Sequence, residues 1–139
     1  MQVSSGSPFE ASVGFSRGVR VGRHVAIAGT APIWPDGDVD RDPLTQARRC
    51  WEIALRALAD LGGAPADVVR TRSYLTRRED EGAAAQAHGE SFGAVRPAST
   101  MVVVAGLLDP RWLVEVELDA ILADVPDPSA GPVRAEPTA

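Results

Sequence analysis

The chain has 139 residues, of which 45% are hydrophobic, and its formal net charge at pH 7 is −5. That length fits one domain with a real core, and no apolar run is long enough to span a membrane. The negative charge argues against nucleic acid as a partner, because phosphate binding needs a surplus of basic surface. All 14 basic residues are arginine, so Schiff-base and pyridoxal-phosphate chemistry, which need a lysine, are excluded.

The N-terminal sequence and the cysteine content indicate a cellular compartment. The opening "MQVSSGSPFE" has neither the basic start nor the apolar stretch of a signal peptide. The single Cys50 excludes an internal disulfide framework. We therefore expect a cytoplasmic protein.

The first predicted elements are a β-hairpin and a helix. Apolar residues alternate with polar or small ones from 13 to 21, and residues 24–29 return as a second strand after a short turn. After a loop, Asp42 and Pro43 are typical of a helix start, with an N-cap followed by proline at the first helical position. Apolar residues then recur at helical spacing until a glycine pair at 62–63 ends the helix.

The second half predicts a strand, a helix and two further strands. The third strand covers residues 67–75, and Thr76 with Glu79 forms a capping-box pattern that opens an alanine-rich second helix. The last two strands lie around residues 100–105 and 112–123. The order ββαβαββ indicates an α+β fold.

The domain organisation follows from the same pattern. We expect one domain over residues 1–123 and a flexible, proline-rich tail over residues 124–139. Five strands with only two helices leave one face of the sheet partly bare. We therefore expect an oligomer that buries this face.

Three carboxylates share one face of the last strand, in "WLVEVELDA". Glu115, Glu117 and Asp119 alternate with apolar residues. Because a row of like charges repels itself, this face is either a solvated edge or a cleft in which an arginine or a bound water meets a carboxylate. Glu115 lies deepest in the apolar run and is our candidate for a functional group.

Cationic and imidazole side chains are the remaining candidates. Arg70, Arg72 and Tyr74 alternate onto one strand face, which is either an ordinary exposed face or the cationic wall of an anion pocket. His88 lies on the second predicted helix, where half-buried packing is the simpler interpretation and a site role the alternative. His24, His88 and Cys50 lack the spacing of a metal cluster, so we expect neither a metal nor a cofactor.

Several motifs together resemble the YjgF/RidA family. "AGTAPI", "RPASTM" and "VEVELDA" carry the likeness most clearly, and the match runs in order from about Gly14 to Ala123. The resemblance implies a chorismate-mutase-like α+β fold and a homotrimer with clefts between its subunits. It also implies hydrolysis of reactive enamines and imines, such as 2-aminoacrylate and its imine tautomer, to 2-oxo acids and ammonia.

The family's site residues transfer unevenly to this sequence. Glu115 matches the glutamate that handles the attacking water, and Gly29 matches a second-strand glycine whose backbone groups shape the site. Phe15 stands where the best-studied branch has a tyrosine. Ser99 stands where that branch has the arginine that binds the substrate carboxylate, so this chain lacks that arginine.

Two functions remain open from the sequence. The first is hydrolysis of an imine or enamine, with Glu115 positioning water and backbone N–H groups near Gly29 and Thr30 stabilising charge. Arg72 is the first substitute for the missing arginine and Arg96 the second, and the ligand is a small molecule bulkier or less anionic than usual. The second function is a non-hydrolytic binding trimer, or a pathway enzyme that isomerises, cyclises or decarboxylates a metabolite. A ribonuclease or translation-inhibitor role is the weakest option.

Overall fold

One mixed sheet with helices packed on it forms the described part of the chain, residues 1–123 of the computed structural model. The α+β class is confirmed. The predicted tail at residues 124–139 lies outside the described residues. Six strands make up the sheet: β1 (Gln2–Val3), β2 (Gly18–Val21), β3 (His24–Thr30), β4 (Val68–Leu75), β5 (Ala98–Val103) and β6 (Val114–Ile121). Three α-helices accompany it: α1 (Pro8–Val13), α2 (Pro43–Asp60) and α3 (Glu81–Phe92).

The strand order places the carboxylate row at the centre of the sheet. The order is β1-β2-β3-β6-β4-β5, so the last strand of the domain lies between β3 and β4. All neighbouring strands are antiparallel except β4 and β5, which are parallel. The odd positions of β6 therefore face side chains from β3 on one side and β4 on the other.

The hydrophobic core lies between the sheet and the α2–α3 pair. The alternate residues Val114, Val116, Leu118 and Ala120 of β6 are all buried on this face, as the period of 2 in the sequence predicts. From the helices, Trp51, Leu58 and Phe92 are among the large side chains that are completely enclosed. Among the described residues, no α-helix contributes such enclosed large side chains to the opposite face of the sheet. We call this face the open face.

The long helix begins where the sequence predicts it. The Asp42 side chain accepts a hydrogen bond from Thr45 N over 2.9 Å, and Pro43 occupies the first helical position. The helix ends at Asp60, and Gly62 follows with a φ of +90°. That conformation favours glycine, which explains the stop at this position.

The first predicted strand is wrong in its N-terminal half. Residues 8–13 form the short helix α1, which ends at Gly14 with a φ of +90°, and β2 begins only at Gly18. The Ser7 side chain and Glu10 form a capping box that starts α1. Val13 and Phe15 therefore do not belong to a strand, and a strand and a helix precede the predicted hairpin.

The capping box predicted at Thr76 and Glu79 is also wrong. The chain first makes a 3-10 turn over Arg78–Asp80, and α3 begins at Glu81 without a side-chain cap. Arg77 explains the difference, because its guanidinium holds Asp80 at 2.8 Å and Glu79 at 3.3 Å. With Glu79 drawn towards Arg77, the reciprocal bond of a capping box is not made.

The last two strands were predicted with shifted ends. β5 lies two residues earlier than the predicted 100–105, and β6 is shorter at both ends than the predicted 112–123. Within the described residues, no helix is both long enough and apolar enough to cross a membrane.

Candidate functional site

The open face contains a β-bulge between its two central strands. β3 and β6 pair regularly up to Ile27 and Leu118, and the next pair is Thr30 with Val116. Two residues of β3, Ala28 and Gly29, therefore lie opposite one residue of β6. A bulge of this kind bends its strand and redirects neighbouring side chains, and bulges are frequent beside functional sites.

The bulge supports the carboxylate of Glu115. A methyl group added at Gly29 would lie 2.5 Å from Glu115 Oε1, so only glycine lets the carboxylate rest there. The Glu115 side chain is partly buried. Among the described residues, none donates a hydrogen bond to it, which leaves its oxygens available to a water or a substrate proton.

Arg17 is the cation nearest to this arrangement. Its guanidinium is enclosed, with 8% of the residue exposed. Nη1 donates to the carbonyl oxygen of Gly29 and, over 3.1 Å, to Thr30 Oγ1. Thr30 Oγ1 in turn donates to the Ala28 carbonyl over 2.8 Å. These bonds tie the bulge to the segment that precedes β2.

The electrostatic environment makes Glu115 a stronger base than an exposed glutamate. Burial raises the pKa of Glu115, the positive charge of Arg17 lowers it, and the negative charge of Glu117 raises it again. Burial also lowers the pKa of Arg17, against the opposing effect of Glu10 and Glu115. Arg17 stays protonated, since the ordinary pKa of arginine lies far above neutral.

A second polar cluster lies next to Glu115 on the open face. Arg72 Nη1 is 3.4 Å from Glu117 Oε1 and 3.2 Å from Asp119 Oδ2. The Tyr74 hydroxyl donates to Glu117 Oε1 over 2.6 Å, and this bond raises the pKa of Tyr74. Arg72 is thus shared by two carboxylates.

A cavity of about 460 Å³ opens between this cluster and the start of β2. The small side chains of Ala26 and Ala28 leave room for it on the open face. The ring of Phe15 and the Arg72 cluster both contribute to its lining. Its lining comprises Gln2, Gly14, Phe15, Ser16, Val19, Ala26, Ile27, Ala28, Arg72, Glu117 and Asp119.

The comparisons with known proteins agree with this architecture. A family model described as Endoribonuclease L-PSP matches residues 6–122. The chain belongs to the YjgF/Rid family. An uncharacterized protein of Streptomyces coelicolor, SCO2049, is 41% identical over 122 residues, covering 86% of this chain and 90% of the relative.

Two solved structures extend the YjgF/Rid assignment to the fold. Rv2704 of Mycobacterium tuberculosis, a member of the YjgF/YER057c/UK114 family, has a TM-score of 0.81 and 40% identity, covering 88% of this chain and 98% of its own. E. coli TdcF, crystallised with bound serine, has a TM-score of 0.74 and 21% identity, covering 88% and 94%. Membership of the YjgF/Rid family supports a role in processing a small-molecule intermediate.

Within one chain, the structure brings together part of the site predicted from the YjgF/Rid resemblance. Glu115, Gly29 and Thr30 meet at the bulge. Phe15 and Arg72 line the adjoining cavity. Thr30 is 1% exposed, so its side chain serves the internal network and has no access to a ligand.

Within one copy of the chain, the other three predicted site residues do not share the bulge with Glu115. They are Ser99, His88 and Arg96. Ser99 pairs with Thr71 in the parallel β4–β5 ladder and so shares the helix-covered face. His88 is on that face too, with its Nε2 2.7 Å from Thr71 Oγ1 and its ring between those of Trp51 and Phe92. Burial lowers the pKa of His88.

Arg96 lies in the loop that follows α3. It is exposed and has a φ of +55°, and its backbone N–H donates to the Phe92 carbonyl over 2.8 Å. Its backbone therefore closes the end of α3, as residues with positive φ commonly do.

Arg17 is the site residue that the sequence analysis missed. It falls at the middle of the alternating run from 13 to 21, on the same parity as its apolar members. A cation at such a position is a signal, because an unpaired buried charge is costly and implies a partner. Among the described residues, no three His, Cys, Asp or Glu side chains are placed to hold a metal ion.

Proposed function

We propose that the protein hydrolyses a reactive imine or enamine, with Glu115 as the general base that activates water. The observation that carries this proposal is the Glu115 carboxylate resting on the bulge at Gly29, partly buried and without a hydrogen-bond donor among the described residues. A base whose pKa is raised towards the working pH removes a proton from water more effectively. E. coli TdcF, which has a similar fold and was crystallised with bound serine, supports a small-molecule ligand for this fold.

The chemistry requires one water and no cofactor. Water adds to the C=N carbon while Glu115 accepts one of its protons, which gives a carbinolamine. The nitrogen is then protonated, the C–N bond breaks, and a carbonyl compound and ammonia are released. We expect backbone N–H groups at the bulge, beside Gly29 and Thr30, to stabilise the charge that develops on the reacting atoms.

We also propose that copies of this chain cover the open face of the sheet. Its β6 residues are charged but only partly exposed, and exposed apolar side chains, among them Val102 at 42% and Val103 at 53%, lie along the edge strand β5. A homotrimer with clefts between neighbours would bring β5 of one copy towards the site of the next, and sedimentation or light scattering would measure it. Such an assembly is consistent with function in the cytoplasm.

RNA cleavage is disfavoured by the charges in the cavity. Two carboxylates, Glu117 and Asp119, lie beside the guanidinium of Arg72, and Arg70 lies opposite Asp119 in the neighbouring strand, so positive charge is not in surplus. A phosphodiester is anionic and needs the opposite balance. The description of the family model therefore does not decide the substrate of this member.

The decisive experiment measures imine consumption directly. An oxidase generates imines in situ, semicarbazide traps what remains, and purified protein is added or withheld. We expect trapping to fall with the wild type and to recover with Glu115→Gln, which keeps the shape of the side chain and removes the base.

A matched control separates a catalytic loss from a general charge effect. Glu79→Gln removes a carboxylate whose side chain is 70% exposed, away from the open face, and should leave imine consumption unchanged. If the wild type consumes no imine from any source, the hydrolase proposal fails. A non-hydrolytic binding or pathway role then takes its place.

A further inference from the structure

The polar side chains of β4 and β6 form three cross-strand pairs on the open face. The backbone register places Tyr74 opposite Glu115, Arg72 opposite Glu117, and Arg70 opposite Asp119. Side chains that lie directly opposite each other in an antiparallel pair have Cβ atoms about 4.5–5.5 Å apart, and aromatic or long side chains also reach the next residue along the diagonal. A side chain of β4 can therefore contact more than one of the three carboxylates.

The observed contacts follow the diagonal and leave Glu115 outside them. The Tyr74 hydroxyl donates to Glu117 Oε1 over 2.6 Å, although Glu115 is its direct partner in the ladder. Arg72 Nη1 lies 3.4 Å from Glu117 Oε1 and 3.2 Å from Asp119 Oδ2. Glu115 thus lies opposite a hydroxyl group whose only proton is directed to a different carboxylate.

The hydrogen bond to Glu117 determines what Tyr74 can offer to a third group. A phenol has one proton to donate and lone pairs with which to accept, whereas an ionised carboxylate only accepts. The bond to Glu117 raises the pKa of Tyr74, and burial raises it as well, so the phenol keeps its proton. Because that proton is directed at Glu117, the Tyr74 oxygen is available only as an acceptor.

An attacking water is best oriented by two acceptors. When both of its O–H groups are held, its remaining lone pair has a fixed direction, and fixed geometry accelerates the addition step. Glu115 provides one acceptor. The carbonyls of Ala28 and Gly29 at the bulge already accept hydrogen bonds. The Tyr74 oxygen, on the residue directly opposite Glu115, is the acceptor that the hydrolysis described above does not yet use.

We propose that Tyr74 is a second catalytic residue, which holds the attacking water together with Glu115. This inference rests on the proposed hydrolysis. The water donates one O–H to the Glu115 carboxylate, which takes that proton as the oxygen adds to the C=N carbon. It donates the other O–H to the Tyr74 oxygen, and this proton stays on the hydroxyl group of the carbinolamine. Tyr74 neither gains nor loses a proton, so the balance of the reaction is unchanged.

Tyr74→Phe tests the role of the hydroxyl, because it keeps the ring and removes only the oxygen. An oxidase generates the imine and semicarbazide traps what remains. We expect kcat to fall about tenfold, the equivalent of one hydrogen bond. KM should stay the same, since Tyr74 contacts the water and not the substrate. A rise in KM at unchanged kcat would contradict the proposed contact.

Two substitutions at Glu117 separate the direction of the Tyr74 proton from the charge of its acceptor. Glu117→Gln and Glu117→Leu both remove the negative charge, but only glutamine retains an oxygen that accepts the proton. In Glu117→Leu the freed hydroxyl donates to Glu115 and competes with the water. On the plateau of the pH–rate profile, where Glu115 is ionised, kcat should therefore be clearly lower for Glu117→Leu than for Glu117→Gln.

Two controls make the Glu117 comparison specific. In a Tyr74→Phe background, Glu117→Gln and Glu117→Leu should have equal kcat, because no hydroxyl is left to redirect. Glu79→Leu makes the same exchange at a carboxylate whose side chain is 70% exposed, and it should leave kcat unchanged.

The single tyrosine of the chain also allows a measurement without turnover. Tyrosine labelled isotopically at Cζ gives one NMR signal, whose chemical shift follows the charges around the hydroxyl group. In Glu117→Gln, we expect this signal to move as Glu115 ionises, and that movement to disappear when Glu115→Gln is added. A signal that does not respond to Glu115 would overturn the inference.

The outcomes separate the two proposals. If Tyr74→Phe hydrolyses the imine as fast as the wild type while Glu115→Gln does not, the inference about Tyr74 is wrong and the hydrolase stands. Equal kcat for the two Glu117 variants in the wild-type background would also overturn it. If the wild type consumes no imine, the hydrolase proposal fails, and the catalytic role of Tyr74 fails with it.

Discussion

The two faces of strand β6 perform different tasks although their residues alternate along the same eight positions. On the helix-covered face, Val114, Val116, Leu118 and Ala120 are at most 2% exposed and pack into the core. On the open face, Glu115, Glu117 and Asp119 are partly buried and contact arginine, tyrosine or the bulge. Stability therefore depends mainly on one face and chemistry on the other, and neighbouring substitutions should separate the two.

The largest effect should come from a pair of adjacent substitutions on opposite faces. Leu118→Ala removes a side chain that is 1% exposed and leaves a cavity in the core, at a cost of about 2–5 kcal/mol in the free energy of unfolding. Asp119→Ala breaks only an ion pair with Arg72 in which both side chains are more than a third exposed, at a cost of at most about 1 kcal/mol. Urea unfolding of both variants measures the two free energies of unfolding. Similar decreases in the two variants would contradict the separation of stability and chemistry between the two faces.

The helix-covered face could be predicted from sequence because its signals are local. The period of 2 in β6 and the Asp42–Pro43 start of α2 both appear in the structure. A local pattern is not always sufficient, as two capping-box patterns show. Ser7 with Glu10 forms a real box that was overlooked, whereas Thr76 with Glu79 was predicted and is absent. What distinguishes them is Arg77, which competes for Glu79 and Asp80.

The open face was less predictable because its contacts join distant segments. The strand pattern and the resemblance both pointed to Glu115, and alternation placed Arg72 on a polar strand face. Neither showed that Arg72 is shared by two carboxylates. The role of Arg17 depends on Gly29 and Thr30, which are 12 and 13 residues further along the chain. The β-bulge that contains Gly29 brings them together, and its local signal in the sequence is a single glycine within the strand.

Arg17 links the two faces, so its removal should affect both stability and chemistry. Arg17→Gln loses hydrogen bonds from a charged donor, each worth about 1.5–3 kcal/mol. It also removes the charge that lowers the pKa of Glu115. The acid limb of the pH–rate profile should therefore move to higher pH, since Glu115 is active only when ionised.

Two further variants make the Arg17 result specific. Arg17→Lys keeps the charge but not the fork of donors, so stability should fall while the acid limb stays in place. Arg56→Gln, at a side chain 81% exposed, should change neither. An unchanged acid limb in a folded Arg17→Gln would contradict the electrostatic role.

Gly29→Ala should damage the chemistry with little effect on the fold. The added methyl group would lie 2.5 Å from Glu115 Oε1, and the carboxylate is the free end of a flexible side chain that can move away. We expect a cost below about 1 kcal/mol in unfolding and a drop in kcat of roughly 100-fold, the scale of a misplacement by about 1 Å. Matched urea and imine-trapping measurements check both values, and unchanged kcat would show that the position of the carboxylate is not critical.

The smallest effect should be a gain in stability from Glu115→Gln. Burial raises the pKa of Glu115 in the folded protein, so ionisation opposes folding. Protonated Glu115 stabilises the folded state, and this contribution to the free energy of unfolding is complete below the unfolded pKa of about 4.3. The contribution is lost as the pH rises through the higher pKa of the folded state. At pH 7.5 the variant should therefore melt at a higher temperature than the wild type, and at pH 4 the difference should largely disappear. A variant less stable than the wild type at pH 7.5 would mean that Glu115 holds the fold together, and the open face would then share the structural task of the helix-covered one.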